Sequence, residues 1–252
     1  LALLALVRAL DRPLPGREWG GWGHVAALGV LSSALPFFLL SWGQQHVPSA
    51  FAGLSMAALP LFVLPLAHAF SDEPMSRRKV AGFGVGFLGA LVLMGPAALD
   101  GLGGSIAGLG QLACLGAAFC YAVASILTRR CPAVDPVALS ALALAVGSLI
   151  LVPAMLIVEG VPGWAGPKTG LAILFLGLVP TGLAALLRVM VIRSAGSGFM
   201  TLVNYQVPLW ATLFGWAVLD EVLPARFFVA LALILVGIAV SQGLAFTRRR
   251  SA

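Results

Sequence analysis

Long apolar runs alternate with short polar connections along this chain. Stretches of bilayer length recur at about 24–46, 47–71, 79–97, 105–129, 136–159, 169–194, 197–219 and 224–247. A helix needs roughly 20 apolar residues to cross about 30 Å of hydrocarbon, so each run predicts one complete membrane-spanning helix. Residues 1–10, LALLALVRAL, are apolar but too short to cross, and read as the end of a truncated helix.

Composition agrees with the pattern. Hydrophobic residues make up 60% of the 252 and charged residues 10%, whereas soluble domains carry about a quarter charged. A signal peptide or a buried core helix cannot explain so many runs. The three cysteines, Cys114, Cys120 and Cys131, lack CxxC spacing and lie in or beside apolar helices. They read as small packing residues, with no metal site or cofactor implied.

The formal charge of +6 raises nucleic acid as a partner, but its placement speaks for topology. Arg8, Arg12 and Arg17, Arg77 to Lys79, Arg129 and Arg130, Arg193, and Arg248 to Arg250 all fall at alternate connections or in the tail. Only Lys168 and Arg226 fall opposite, and Arg188 alone lies inside a span. By the positive-inside rule the basic side, including the tail at 248–252, is cytoplasmic.

The chain also resembles itself. An offset of 148 residues lays Gly29 on Gly177, Ser49 on Ser197, Phe51 on Phe199, Pro60 on Pro208, Gly89 on Gly237 and, above all, Asp72-Glu73 on Asp220-Glu221. Hydrophobic similarity alone would not align the rare acidic pair. Extending the offset upstream leaves about one and a half helices of the first unit unmatched, which predicts ten helices in the full-length protein, two units of five, with about eight and a half here. The units are 1–97 and 105–247. Because five is odd, they insert with opposite topology. The basic connection SDEPMSRRK and its partner LDEVLPAR, with one Arg, agree with this. An all-α inverted repeat is a common architecture of secondary transporters, with the substrate site near the midplane between the halves.

A mid-helix proline, an acidic residue closing that helix, and a glycine-bearing helix after it occur twice, as PLFVLPLAHAFSDEPMSRRKVAGFGVGFLGALVL and PLWATLFGWAVLDEVLPARFFVALALILVGIAV. This doubled signature, with Glu73 and Glu221 as its acidic members, resembles the EamA family of the drug/metabolite transporter superfamily. The resemblance implies ten helices in two inverted repeats, a multi-pass bacterial inner-membrane location, and export of small metabolites or amino-acid-like compounds by alternating access. It leaves open a sugar- or nucleotide-type antiporter of the same superfamily.

Candidate site residues follow from what the repeat does not need. Pro60 and Pro208 cannot donate to the carbonyls of Met56 and Asn204, so each predicts a kink and a free carbonyl at membrane depth, for packing or for a cavity. Asn204, Tyr205 and Gln206 correspond by the offset to Met56, Ala57 and Ala58, and Arg188 to Leu40. One half builds the fold without these polar groups, so they are assigned to a substrate cavity, with Met56 on the matching wall. Arg188 is expected to brace the kinked helix through Asn204 and to offer positive charge to an anionic or zwitterionic substrate. Tyr121 and Ser125, four apart on one helix, are further candidates beside the reading of a serine bonded to its own backbone. Trp42 and Gln45 read as an interfacial belt residue and a solvated amide, or as an outer gate. Glu73, four residues before Arg77, reads first as an anchoring ion pair. Glycines at 82 and 86 and at 104 and 108 let helices approach closely, within the chain or across a homodimer.

An intramembrane enzyme would need a nucleophile and base, paired acids or metal ligands within the spans. HExxH is absent and the three histidines are scattered, so the sequence favours a carrier over an enzyme. A non-transporting membrane subunit is the other alternative.

Overall fold

The computed structural model describes residues 2–47, 52–53, 55–56, 59–71, 75–94, 106–161, 163, 166–204, 210, 213–214 and 225–241. Its elements are α1 (Ala2–Ala9), α2 (Trp22–Gly29), α3 (Leu35–Gly43), α4 (Leu59–Phe70), α5 (Arg77–Met94), α6 (Ile106–Arg130), α7 (Pro136–Val158), α8 (Pro167–Leu176), α9 (Ala184–Ala195), α10 (Ser197–Asn204) and α11 (Arg226–Ser241). A π-helical segment, Val30–Ala34, joins α2 to α3, and another, Gly177–Leu183, joins α8 to α9. No strand occurs among the described residues.

Four helices are long and apolar enough to cross a membrane: Trp22–Gly43, Ile106–Arg130, Pro136–Val158 and Pro167–Ala195. They match four of the expected spans to within a few residues at each end. The other expected spans are described in part, as α4, α5, α10 and α11, and Glu73, Glu221, Tyr205, Gln206 and Pro208 lie outside the described residues.

Local chemistry sets several boundaries. Asp135, in extended conformation, caps α7 by accepting from the backbone N–H of Val137 at 2.8 Å and of Ala138 at 3.2 Å, and Pro136 supplies the first helical residue. Gly196 separates α9 from α10 at φ 95°, a conformation that disfavours any residue with a Cβ. Both π segments adjoin or contain a proline, Pro36 and Pro180, which breaks the i to i−4 ladder. They also occupy matching positions under the 148-residue offset.

Small residues set the packing. A Cβ built on Gly237 of α11 would lie 2.6 Å from the Gly82 carbonyl oxygen and 2.6 Å from the Gly86 nitrogen of α5. Gly82 and Gly86 therefore serve a contact within the chain, between two helices that the offset makes counterparts. Gly43 and Gly110 bring α3 and α6 together in the same way. Two apolar clusters flank α6. Val25, Leu28, Ala124, Leu139 and Ala143 form one, and Leu59, Val63, Ala67, Ala122 and Ile126 the other. By contrast α8 turns Leu171, Ile173, Leu174 and Phe175 outward, as expected of a helix whose solvent is lipid.

Candidate functional site

A cavity of about 250 Å³ lies where α2, α3, α4, α6, α7, α9, α10 and both π segments converge. Its walls are mostly apolar, from Leu28, Phe37, Met56, Leu59, Leu144, Val189 and Met200 among others. The polar groups reaching it are Ser32, Ser33, Tyr121, Ser125, Thr128, Ser140, Thr181 and Arg188, with no Asp or Glu among the described residues that line it. Ligand sites have this character, an apolar concavity with a few placed polar groups.

Arg188 is the charged member. Its guanidinium, half-buried, donates through Nη2 to the Tyr121 carbonyl oxygen at 2.9 Å and to Ser125 Oγ at 3.1 Å. The guanidinium carbon also lies 4.8 Å from the centre of the Tyr121 ring, within reach of a cation–π attraction. Ser125 Oγ donates to the same Tyr121 carbonyl at 2.9 Å. Thus Tyr121 and Ser125, one turn apart on α6, together form the seat of the cation. A charge at this depth costs about 2.5–3.5 kcal/mol on insertion scales, and these contacts offset part of that. Among the described residues nothing takes up the remaining guanidinium N–H groups.

The sequence singled out Arg188, Tyr121, Ser125 and Met56, and the structure brings all four to one cavity. It adds a partner for Arg188. The described bonds run to α6, where the acceptor is a main-chain oxygen 67 residues away that no side-chain pattern announces, and the expected brace through Asn204 falls on a side chain outside those described. Asn204 closes α10 one turn after Met200, which lines the cavity. Pro60 is the second residue of α4 and fully buried beside Leu59. Residues 57 and 58 before it lie outside the described residues. Trp42 and Gln45 do not line the cavity. The Trp42 ring stacks edge-on against His46 at 4.8 Å, and Gln45 sits in the turn after α3.

Sequence reasoning missed Ser32, Ser33, Thr128, Ser140 and Thr181. One signal was present: Ser32-Ser33 and Pro180-Thr181 are offset-matched polar breaks at the middle of apolar spans. The π segments place them. Pro180 cannot donate to the Leu176 carbonyl, and Thr181 Oγ1 does so instead, at 2.9 Å.

Below the cavity on the basic side, Arg193 forks onto the carbonyl oxygens of Val134 at 2.7 Å and Pro132 at 3.2 Å, while Arg129 donates to the Arg193 carbonyl at 2.9 Å. These bonds tie the end of α9 to the α6–α7 connection.

Known proteins agree with this architecture. An uncharacterized transporter of Bacillus subtilis (strain 168), YoaV, is 26% identical over 215 residues, covering 84% of this chain and 72% of its own length. A protein of Streptantibioticus cattleyicolor described as a probable terminal-alkyne amino-acid exporter is 36% identical over 69 residues, 27% of this chain and 23% of that protein. A solved crystal structure superposes with a TM-score of 0.75 at 24% identity, over 98% of this chain and 84% of that one, and so shares its fold. Residues 1–95 and 108–242 match the EamA-like transporter family, and the chain, a multi-pass membrane protein, belongs to it.

Proposed function

We propose that the chain is a secondary carrier that exports small anionic or zwitterionic metabolites, amino-acid-like compounds among them, by alternating access between two inverted five-helix repeats. The single observation that carries this is the Arg188 guanidinium, held in the cavity by Tyr121 and Ser125 with N–H groups that no described residue takes up. An arginine that served only insertion would extend to the headgroups rather than line a cavity.

Three further observations support the reading. The π segments at 30–34 and 177–183 match under the repeat offset and both border the cavity. Counterpart helices α5 and α11 pack together through glycines. The relative from Streptantibioticus cattleyicolor is described as an amino-acid exporter. In this reading 1–97 and 105–247 are the two repeats, and the tail at 248–252 faces the cytoplasm of an inner membrane. Asn204, Tyr205 and Gln206 then complete the wall begun by Met200, and the kinks at Pro60 and Pro208 open it. The test is efflux from proteoliposomes preloaded with labelled amino acids and 2-hydroxy acids. Chain-dependent flux that Arg188→Leu abolishes is expected, and flux indifferent to Arg188 would overturn the assignment.

A further inference from the structure

Another concavity lies on a different face of α9. It is a groove of about 290 Å³ between α1, α7, the π segment Gly177–Leu183 and the start of α9, and every described residue lining it is Leu, Ala or Gly. Leu178 and Leu183 stand exposed along it. A Cβ built on Gly177 would meet nothing within 4 Å, so the groove is open at that point. Gly177 and Leu186 are nine residues apart, about 14 Å along a helix axis. Nothing in such a lining orients a polar metabolite, whose groups would lose water without gaining a partner.

Charge collects at one end only. Helices α1 and α9 both run toward the basic side, where Arg8 lies one turn beyond Leu4 on α1 and Arg193 two turns beyond Leu186 on α9. There Arg12 pairs with Asp135 at 3.6 Å, and Arg193 holds the carbonyls of Val134 and Pro132. Arg129 reaches the same place through the Arg193 carbonyl. These four arginines outnumber the acidic groups beside them, Asp11 and Asp135. Arg8 is exposed and meets no partner among the described residues. Helical side chains lean toward the N-terminus, which carries its guanidinium back toward Leu4 and the groove.

We propose that this groove binds an anionic phospholipid, with one acyl chain lying between α1 and α9 and the phosphate meeting Arg8 at the basic end. An apolar channel that runs inward from a cluster of cations has the shape and polarity of such a lipid, and basic pockets between membrane helices take anionic headgroups. A zwitterionic lipid fills the channel equally well but brings a cation of its own to Arg8. The site is separate from the question of which substrate the central cavity takes, yet the two touch. An acyl chain seated here packs on the back of the π segment whose front carries Pro180 and Thr181 into the central cavity, and Leu144 is a wall of both.

The test titrates the full chain, freed of lipid in detergent, with phosphatidylglycerol, phosphatidylcholine or soluble glycerol phosphate, and follows Tm. Phosphatidylglycerol is expected to raise Tm with a midpoint about tenfold lower than that of phosphatidylcholine, and glycerol phosphate to leave Tm unmoved. One arginine near an anionic headgroup is worth about fivefold in affinity. Arg8→Gln should therefore raise the phosphatidylglycerol midpoint by that factor and leave the phosphatidylcholine midpoint unchanged. Gly177→Leu grows a side chain into the open groove and should weaken both lipids about tenfold, with the lipid-free Tm at or above that of the parent. Leu183→Trp obstructs the groove from an exposed position and should weaken both lipids likewise, so a poorly folding Gly177→Leu leaves the test intact. Equal midpoints for the two lipids, a full effect of glycerol phosphate alone, or lipid binding indifferent to both groove variants overturns the proposal. So does a lipid-insensitive dimer in size-exclusion chromatography, which would mean that a second copy covers the groove.

Discussion

Replacing Arg188 with leucine, the residue at its counterpart position Leu40, removes the cavity's charge while leaving its walls apolar. Two consequences separate cleanly. In the folded chain the mutation orphans little, because the Tyr121 carbonyl keeps its bond from Ser125 Oγ at 2.9 Å. Membrane insertion even improves, by up to the roughly 2.5–3.5 kcal/mol that a mid-span arginine costs. Expression and thermal stability in detergent should therefore equal or exceed those of the parent. Binding goes the other way. A carboxylate held by two charge-assisted N–H groups at about 1.5 kcal/mol each loses about 3 kcal/mol, or roughly 100-fold in affinity. Arg188→Lys keeps the charge but loses the fork, and should fall between the two. The assay is initial efflux rate against internal substrate concentration in proteoliposomes, normalised to the folded fraction by size-exclusion chromatography. Efflux within about threefold of the parent for Arg188→Leu, in a well-folded preparation, would refute the role given to this residue.

Gly237→Ala places a methyl against the backbone of Gly82 and Gly86. It should lower stability by about 1–3 kcal/mol, read as a fall in Tm. Gly84→Ala, whose Cβ would meet nothing within 4 Å, should be neutral or mildly stabilising. Asp135→Ala removes the cap of α7 and should cost about 1 kcal/mol. Asp135→Asn should retain most of it, since the Arg12 ion pair at 3.6 Å, with Arg12 half exposed, contributes little. Reporters fused after Arg250 and inserted near Pro162 should read cytoplasmic and external respectively, and finding both on one side would sink the inverted arrangement.

Hydropathy located the spans well because bilayer thickness acts on every residue of a run at once. The stretches expected at 105–129 and 136–159 appear as Ile106–Arg130 and Pro136–Val158. Distortions within the spans were less legible. Proline chemistry applies equally to Pro36, Pro60, Pro65, Pro153 and Pro180, yet the two π segments form beside Pro36 and around Pro180, while Pro65 and Pro153 sit inside continuous α-helix. At Pro180 a hydroxyl takes up the freed carbonyl. Thr181 does this for Leu176, so the proline's neighbour and not the proline itself distinguishes the site.

The same logic explains how far the cavity could be read. Arg188 stood out because a single charge inside an apolar span demands a partner. Its seat did not, because that seat is the Tyr121 main-chain oxygen, which any residue at the position would supply. The hydroxyls were harder still. A serine bonded to the carbonyl one turn back looks the same in sequence whether it faces lipid, a packed neighbour or a ligand. Only convergence tells these apart, and convergence is a property of several separate segments meeting at one cavity. What that meeting creates is more than the sum of its parts: each hydroxyl alone is a satisfied group of no consequence, but five whose protons are engaged by their own helices add lone pairs to a cavity that already holds the Arg188 charge. The polarity of the site thus comes from helix geometry as much as from residue type.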